Sequence, residues 1–176
     1  MRSMRLLGSP GLLCAGLVTG GSVVLAQGSA FAASAPSCVS AQMVVTHGQA
    51  QGTARTTYIP LVFTNKGRAC AIWGVPAVQP VTGAHHSAVG PTARNNSMGE
   101  MPVRHVVARG AAVSVDFGVV DTGNYTASSC VARSASGVIV SLGSFIHPTY
   151  VHLPITVCAR RVSVTTKMIV PGVDGY

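Results

Sequence analysis

Apolar and polar residues alternate with a period of two in several short segments of the chain. The clearest of these segments span residues 113–119, 151–157 and 162–168. Alternation places every second side chain on one face of an extended backbone, so each segment predicts a β-strand with one buried face. Weaker examples predict further strands at residues 42–46, 57–64, 77–81, 103–108 and 138–142.

Residues that favour turns separate these segments. They lie at residues 65–67, 74–76, 109–110, 122–124 and 134–137, and each set supplies a Gly, Asn or Pro. No segment shows sustained helical periodicity with capping residues. The pattern therefore predicts an all-β fold, an immunoglobulin-like β-sandwich of about eight short strands.

Two prolines lie inside predicted strands. Proline has no amide hydrogen to donate to a strand ladder, so the strands with Pro60 and Pro154 are predicted to be edge strands or bulged there. Residues 83–101 form a long polar stretch rich in Gly, Ser and Asn, which predicts a surface loop.

The first residues have the pattern of an export signal. Arg2 and Arg5 precede an apolar stretch at residues 6–26, and Ala30 and Ala32 stand at the positions that signal peptidase reads. We predict a signal peptide at residues 1–32 and a single mature domain at residues 33–176. The rival cut after Ala35 would place Pro36 first in the mature chain.

Two other interpretations of this segment stay open. It has the length of a membrane anchor, although its many glycines make it a poor spanning helix, and no later segment is long and apolar enough to span. A lipid anchor would need a lipobox, with a small residue just before the cysteine at the end of the apolar region, and neither Cys14 nor Cys38 fits this pattern. We expect a secreted protein, extracellular or in the cell wall.

The mature domain holds four cysteines: Cys38, Cys70, Cys130 and Cys158. An even number in an exported domain predicts two disulfides, because the compartment is oxidising. Of the three possible pairings, we favour Cys38–Cys70 and Cys130–Cys158. No close cysteine pair of the zinc-binding type is present, and no cysteine is left over as a catalytic thiol.

A motif runs from Asn65 to Pro76. Asn65, Gly67, Cys70, Ile72, Gly74 and Pro76 match N-x-G-x-x-C-x-[LI]-x-G-x-P. In this motif the chain resembles a secreted actinobacterial family known as a domain of unknown function, number 4232, and the resemblance extends over about residues 38–171. It implies an exported all-β domain and no activity, cofactor or catalytic residue. Arg109 departs from the family, since a proline is expected before Gly110.

The motif also has a physical interpretation. Asn65 and Gly67 suit a turn at the end of a strand, and Cys70 then starts the next strand. Either Ile72 or Trp73 must face the core. A tryptophan beside a disulfide often fills a core, so we predict that Trp73 is buried.

Imidazole and thioether side chains suggest one metal hypothesis. His85, His86, Met98, Met101 and His105 lie close in sequence, mostly in the polar stretch, and this ligand set suits copper, especially Cu(I). They form no known motif, so our leading interpretation assigns no metal and no cofactor. The alternative function is an exported copper carrier that uses these residues.

Charge completes the picture. Residues 33–176 hold ten basic and four acidic side chains. The cations are scattered and aromatic residues are few, so we do not expect nucleic-acid binding. Attraction to acidic cell-envelope polymers or lipid headgroups, or to another secreted protein, fits better.

Enzyme chemistry is not expected. Four carboxylates make paired acid–base catalysis improbable, and no nucleophile elbow or phosphate-binding fingerprint is present. The leading prediction is a non-enzymatic secreted or cell-wall-associated domain that binds a partner.

Overall fold

The computed structural model describes residues 34–53, 55–145 and 147–176. The predicted signal peptide, residues 1–32, lies outside the described residues. Within the described part, the chain forms thirteen strands, one short α-helix, α1, at Ala127–Cys130, and two 3-10 helices at Ser40–Gln42 and Thr122–Asn124. The strands are β1 Met43–His47, β2 Gln51–Thr53, β3 Thr56–Asn65, β4 Cys70–Ile72, β5 Ala77–Thr82, β6 Ser87–Ala88, β7 Arg94–Asn95, β8 His105–Val107, β9 Ala112–Val120, β10 Ala132–Ser141, β11 Thr149–Cys158, β12 Val164–Thr166 and β13 Val170–Pro171.

The largest sheet has seven strands in the order β1-β3-β9-β12-β7, with β2 beside β3 and β13 beside β9. Its centre is the antiparallel pair β3 and β9, which runs from Thr56 opposite Val120 to Thr64 opposite Ala112. Nine registered pairs make this the spine of the sheet. β7 joins the edge by a parallel pairing with β12.

The second sheet has the order β11-β10-β5-β6, and a third, two-stranded sheet pairs β4 with β8. Inward side chains of the two larger sheets form one buried cluster. Leu61, Phe63, Val115 and Phe117 come from the first sheet and Val138 from the second, all fully buried. The two larger sheets therefore pack as a sandwich around an aliphatic and aromatic core.

The prolines behave differently from one another. β11 is an edge strand, and Leu153 and Pro154 together oppose Ser136, which makes a bulge. The prediction for Pro154 is thus confirmed. Pro60, however, lies in the interior strand β3, so the edge prediction is wrong there. Pro60 sits where β1 ends and β2 has not begun, and its carbonyl accepts from the Gly48 amide at 2.8 Å. The interruption falls in the neighbouring strand instead.

Both disulfides join the pairs we favoured. Cys38 is bonded to Cys70 at the start of β4, and Cys130 at the end of α1 is bonded to Cys158 at the end of β11. The all-β fold class with two disulfides is confirmed. The immunoglobulin-like strand order stays a prediction.

Two local predictions are corrected. Residues 134–137 were expected to form a turn but lie inside β10, where Gly137 pairs with Val81 on one side and His152 on the other. The stretch at residues 83–101 is not wholly a loop, because β6 and β7 lie in it and join different sheets. With four residues, α1 is the longest helix in the described part, so no helix there could cross a bilayer.

Candidate functional site

Asn65 organises the turn that leads into β4. The side chain is fully buried. Its Nδ2 donates to the carbonyl oxygens of Arg68, at 2.8 Å, and Val107, at 2.9 Å, while its Oδ1 accepts from the Gly67 amide at 2.9 Å. A side chain at Gly67 would approach Gln42 Cβ at 2.8 Å. The motif therefore builds a tight turn and attaches it to β8.

The ribbon of β4 and β8 presents Trp73 outwards. Ile72 is fully buried, whereas Trp73 is 37% exposed. The prediction that Trp73 fills the core is therefore wrong, and Ile72 is the core residue of the two. Neighbouring residues of a strand point to opposite faces, so burial of Ile72 places Trp73 on the outer face.

Arg104 lies over the Trp73 ring. Its guanidinium carbon is 4.5 Å from the ring centroid, a cation–π geometry. The guanidinium also donates to the carbonyl of Ala35. The register pairs Ile72 with His105, which brings Trp73 and Arg104 side by side just beyond the ladder. These contacts fix the indole at the surface.

Large apolar side chains in β8 and in the segment that precedes it are exposed. Met98 is 93% and Met101 is 82% exposed, and Val103 and Val106 are also exposed. We call the set of Trp73, Met98, Met101, Val103, Arg104 and Val106 the ribbon face. Single exposed apolar residues are ordinary, but a group of them on a soluble domain indicates an interaction surface.

Cations gather at the other end of the same ribbon. Lys66 and Arg68 are in the Asn65 turn, and Arg109 precedes Gly110, whose amide donates to the Asn65 carbonyl at 2.7 Å. All three basic side chains are exposed. The ribbon thus combines an apolar portion with four basic residues, counting Arg104.

Elsewhere, one cation is neutralised. Lys167 Nζ lies 2.9 Å from Oδ2 of Asp116, whose side chain is buried. The hydrogen bond to Asp116 raises the pKa of Lys167, and partial burial opposes it. No other ion pair is present among the described residues. The other nine basic side chains there are all exposed and have no acidic partner within 4.0 Å.

A pocket of about 550 Å³ opens at the sandwich edge between the β1–β2 connection and β11. Ile59, Val119, Leu153 and Pro154 line it, and Asp121 lies at its polar side. The Asp121 side chain is already engaged, since its Oδ1 accepts from the Gly123 amide at 2.8 Å. Polar side chains, among them His47, Gln49 and Thr57, also line the pocket, so it combines apolar and polar surface.

The copper candidates occupy separate surroundings. His85 and His86 lie in the turn between β5 and β6, and the His86 ring stacks on Tyr150 at 4.2 Å. His105 is in β8, with Nε2 3.1 Å from the carbonyl of Ile169. Met98 and Met101 are on the ribbon face. Among residues 34–53, 55–145 and 147–176, no three His, Cys, Asp or Glu side chains come close enough to hold a metal ion.

Sequence patterns pointed to the loop at residues 83–101 and to the basic surface, but not to the ribbon face. The available signal was the occurrence of four large apolar residues, Met98, Met101, Val103 and Val106, within nine positions. Residues up to 101 were predicted to form a surface loop and residues 103–108 a strand. The exposure of these side chains depends on which strand pairs with this part of the chain, and this is a tertiary property.

Comparison with known proteins gave one match. The model of a family described as "Domain of unknown function (DUF4232)" matches residues 38–170. No curated protein and no solved structure matches the chain.

Proposed function

Since the chain belongs to the family described as domain of unknown function (DUF4232), a description that names no activity, we propose a function from its surface. The protein is a non-enzymatic, exported binding domain that attaches to acidic components of the cell envelope. The observation that carries this proposal is the excess of unneutralised cations on the folded domain.

The charge distribution supports attraction to polyanions. Nine exposed basic side chains have no ion pair within the described residues, and one of the four carboxylates, Asp116, is used internally by Lys167. Such a surface attracts anionic polymers at long range, and salt weakens the attraction. Arg161 and Arg104 are each held over an aromatic ring, Tyr125 and Trp73, which orients their guanidinium groups at the surface.

Export is supported by the cysteines and by the predicted signal peptide. All four cysteines of the described part are joined in disulfides, which persist in oxidising compartments outside the cytosol. The non-enzymatic assignment draws support from the two disulfides as well, because they leave no thiol in this part of the chain to act as a nucleophile.

A binding experiment tests the proposal. The purified protein is passed over an immobilised acidic polymer, such as polyglutamate or a polyphosphate, at ionic strengths from about 0.05 to about 0.5 M. We expect retention at low salt that falls steeply as salt rises. In a second assay, the immobilised protein is incubated with cell-wall extract. If it retains no more material than a folded control protein of equal net charge, specific attachment is refuted.

The alternative, an exported copper carrier, draws support from the exposure of Met98 and Met101, which leaves both thioethers free to bind a soft ion. Thermal melting with Cu(I), Cu(II) and Zn(II) tests it. A metal at one hundred times its Kd would stabilise the fold by about 2.7 kcal/mol. A melting curve that none of the three metals shifts from that of the metal-free protein would exclude the carrier.

A further inference from the structure

We propose that the ribbon face docks this protein on an anionic lipid bilayer. The inference rests on the proposed function and narrows the acidic partner to a membrane surface. Two components of the surface favour binding to such a bilayer. Exposed apolar side chains can enter the acyl boundary, and basic side chains can bind the headgroups.

The apolar component is concentrated in one segment. Met98, Met101, Val103 and Val106 are all exposed, and they lie within nine positions of the chain. Met98 and Gly99 have positive φ angles, +50° and +81°, and the Glu100 amide donates to the Ser97 carbonyl. The segment therefore turns sharply at Met98 and presents this side chain at the tip of a turn.

Trp73 adds the residue type that belongs at a bilayer interface. Its ring is amphipathic, and such rings concentrate at the level of the headgroups. Arg104 covers the indole and extends its cation beside the apolar residues. A long basic side chain in this position can keep its charge among the phosphates while its methylene groups contact the apolar region.

The basic component lies at one end of the ribbon. Lys66 and Arg68 are in the Asn65 turn, and the hydrogen bonds of Asn65 join this turn to the segment that carries Arg109. One acidic residue, Glu100, lies in the apolar segment, against the four cations Lys66, Arg68, Arg104 and Arg109. The net charge of this part of the surface is therefore positive and complements an anionic bilayer.

The apolar side chains favour a bilayer over a soluble acidic polymer. A polyanion is held by the cations alone and gains nothing from two methionines that are 93% and 82% exposed. A bilayer gains from both, because each side chain leaves water as the headgroups bind the cations. The two partners can therefore be told apart by apolar substitutions that leave the charge unchanged.

Sedimentation with vesicles is the first test. The protein is mixed with vesicles of phosphatidylcholine alone and with vesicles that contain about one third phosphatidylglycerol. We expect binding to the anionic vesicles only. The double variant M98S/M101S should lower the partition coefficient by about tenfold, and R68Q/R109Q should lower it by at least as much.

Matched controls separate this face from the rest of the surface. Val162 is an exposed apolar residue near the other disulfide, and Arg133 and Arg160 are exposed cations there. We expect V162S to change binding less than twofold and R133Q/R160Q to change it less than R68Q/R109Q, which has the same net charge. Far-ultraviolet circular dichroism of each variant checks that the fold is retained.

The single tryptophan of the chain gives a direct reading of the orientation. Trp73 emission should shift to shorter wavelength on anionic vesicles and be quenched when the acyl chains carry bromine. Vesicle binding without quenching would overturn the proposal, because another face would then be in contact. Equal losses in M98S/M101S and V162S would overturn it too.

The outcomes also distinguish this inference from the function on which it rests. Retention on polyglutamate together with failure to bind anionic vesicles would refute bilayer docking and leave attachment to acidic polymers standing. Failure in both experiments would refute both.

Discussion

The Asn65 side-chain amide donates to the Val107 carbonyl at 2.9 Å, and this hydrogen bond joins the turn before β4 to the strand β8. The same nitrogen holds the Arg68 carbonyl, and the side-chain oxygen holds the Gly67 amide. One buried side chain thus joins the turn before β4 to β8, and Trp73 and Arg104 lie just beyond the paired ends of these two strands. The ribbon face depends on this residue although Asn65 itself is fully buried.

We expect Asn65→Ala to destabilise the fold by about 2–4 kcal/mol, because three hydrogen bonds are lost and buried backbone groups are left unpaired. Urea unfolding measures the change. Asn124→Ala is the matched control, since Asn124 donates to the Arg55 carbonyl at an exposed site. It should cost less than about 1 kcal/mol. Equal losses in the two variants would contradict the structural role of Asn65.

The two disulfides should have similar energetic effects but different local ones. In the chain-entropy account, loss of either bridge costs about 3–4 kcal/mol. C38S/C70S removes the bridge at the start of β4, three residues before Trp73, whereas C130S/C158S acts at the end of β11. We expect only C38S/C70S to change the emission of Trp73 in the folded protein. A change in both variants, or in neither, would argue against a local effect.

The ion pair of Lys167 makes the stability of the fold depend on pH in the alkaline range. The hydrogen bond to Asp116 raises its pKa above the 10.5 that is usual for lysine. The folded state holds this proton more tightly than the unfolded chain does, so the stabilisation is complete below the unfolded pKa and is lost as pH rises through the folded pKa. The Tm difference between the wild type and Lys167→Met should be constant at neutral pH and shrink above about pH 10.5.

Lys66→Met is the control for this pH dependence, because Lys66 is exposed and has no ion pair in the described part of the chain. Its Tm difference from the wild type should not shrink in the same alkaline range. A difference for Lys167→Met that stays constant at high pH would show that the ion pair does not stabilise the fold.

Gly90 lies where the backbone approaches the second disulfide. Its φ is +72°, and an added Cβ would stand 2.2 Å from the carbonyl oxygen of Cys158. Gly99 has a similar φ of +81° with open space around it. Gly99→Ala should therefore cost about 1 kcal/mol for the backbone conformation alone, and Gly90→Ala should cost clearly more. Thermal melting of both variants measures the difference, and equal losses would mean that the contact relaxes easily.

Sequence patterns predicted the positions of the long strands well, although β9 is buried on both faces, because its polar residues Ser114 and Asp116 are buried too. The predicted segments at residues 57–64 and 113–119 became the central pair β3 and β9. The predicted turn at residues 134–137 was wrong because small residues can also serve close packing. At Gly137 an added Cβ would lie 2.4 Å from the Val151 carbonyl and 2.7 Å from the Tyr150 ring. Composition alone does not distinguish a turn glycine from one that allows such an approach.

The candidate site was harder to predict. The alternation of side chains shows that Ile72 and Trp73 face opposite ways, but not which of them faces the core. The pairing of β4 with β8, more than thirty residues later in the chain, places Arg104, the residue before β8, over the indole. The exposure of Met98 and Met101 is likewise decided by distant strands, which leave this segment outside the sandwich.

The bulge at Pro154 has a consequence for crowded solutions. β11 borders its sheet, and an open border of this kind can recruit a strand from another molecule and start aggregation. Leu153 and Pro154 interrupt the regular spacing there, and Pro154 offers no amide to an incoming chain. Pairing between copies of the domain through this border is therefore disfavoured at high protein concentration.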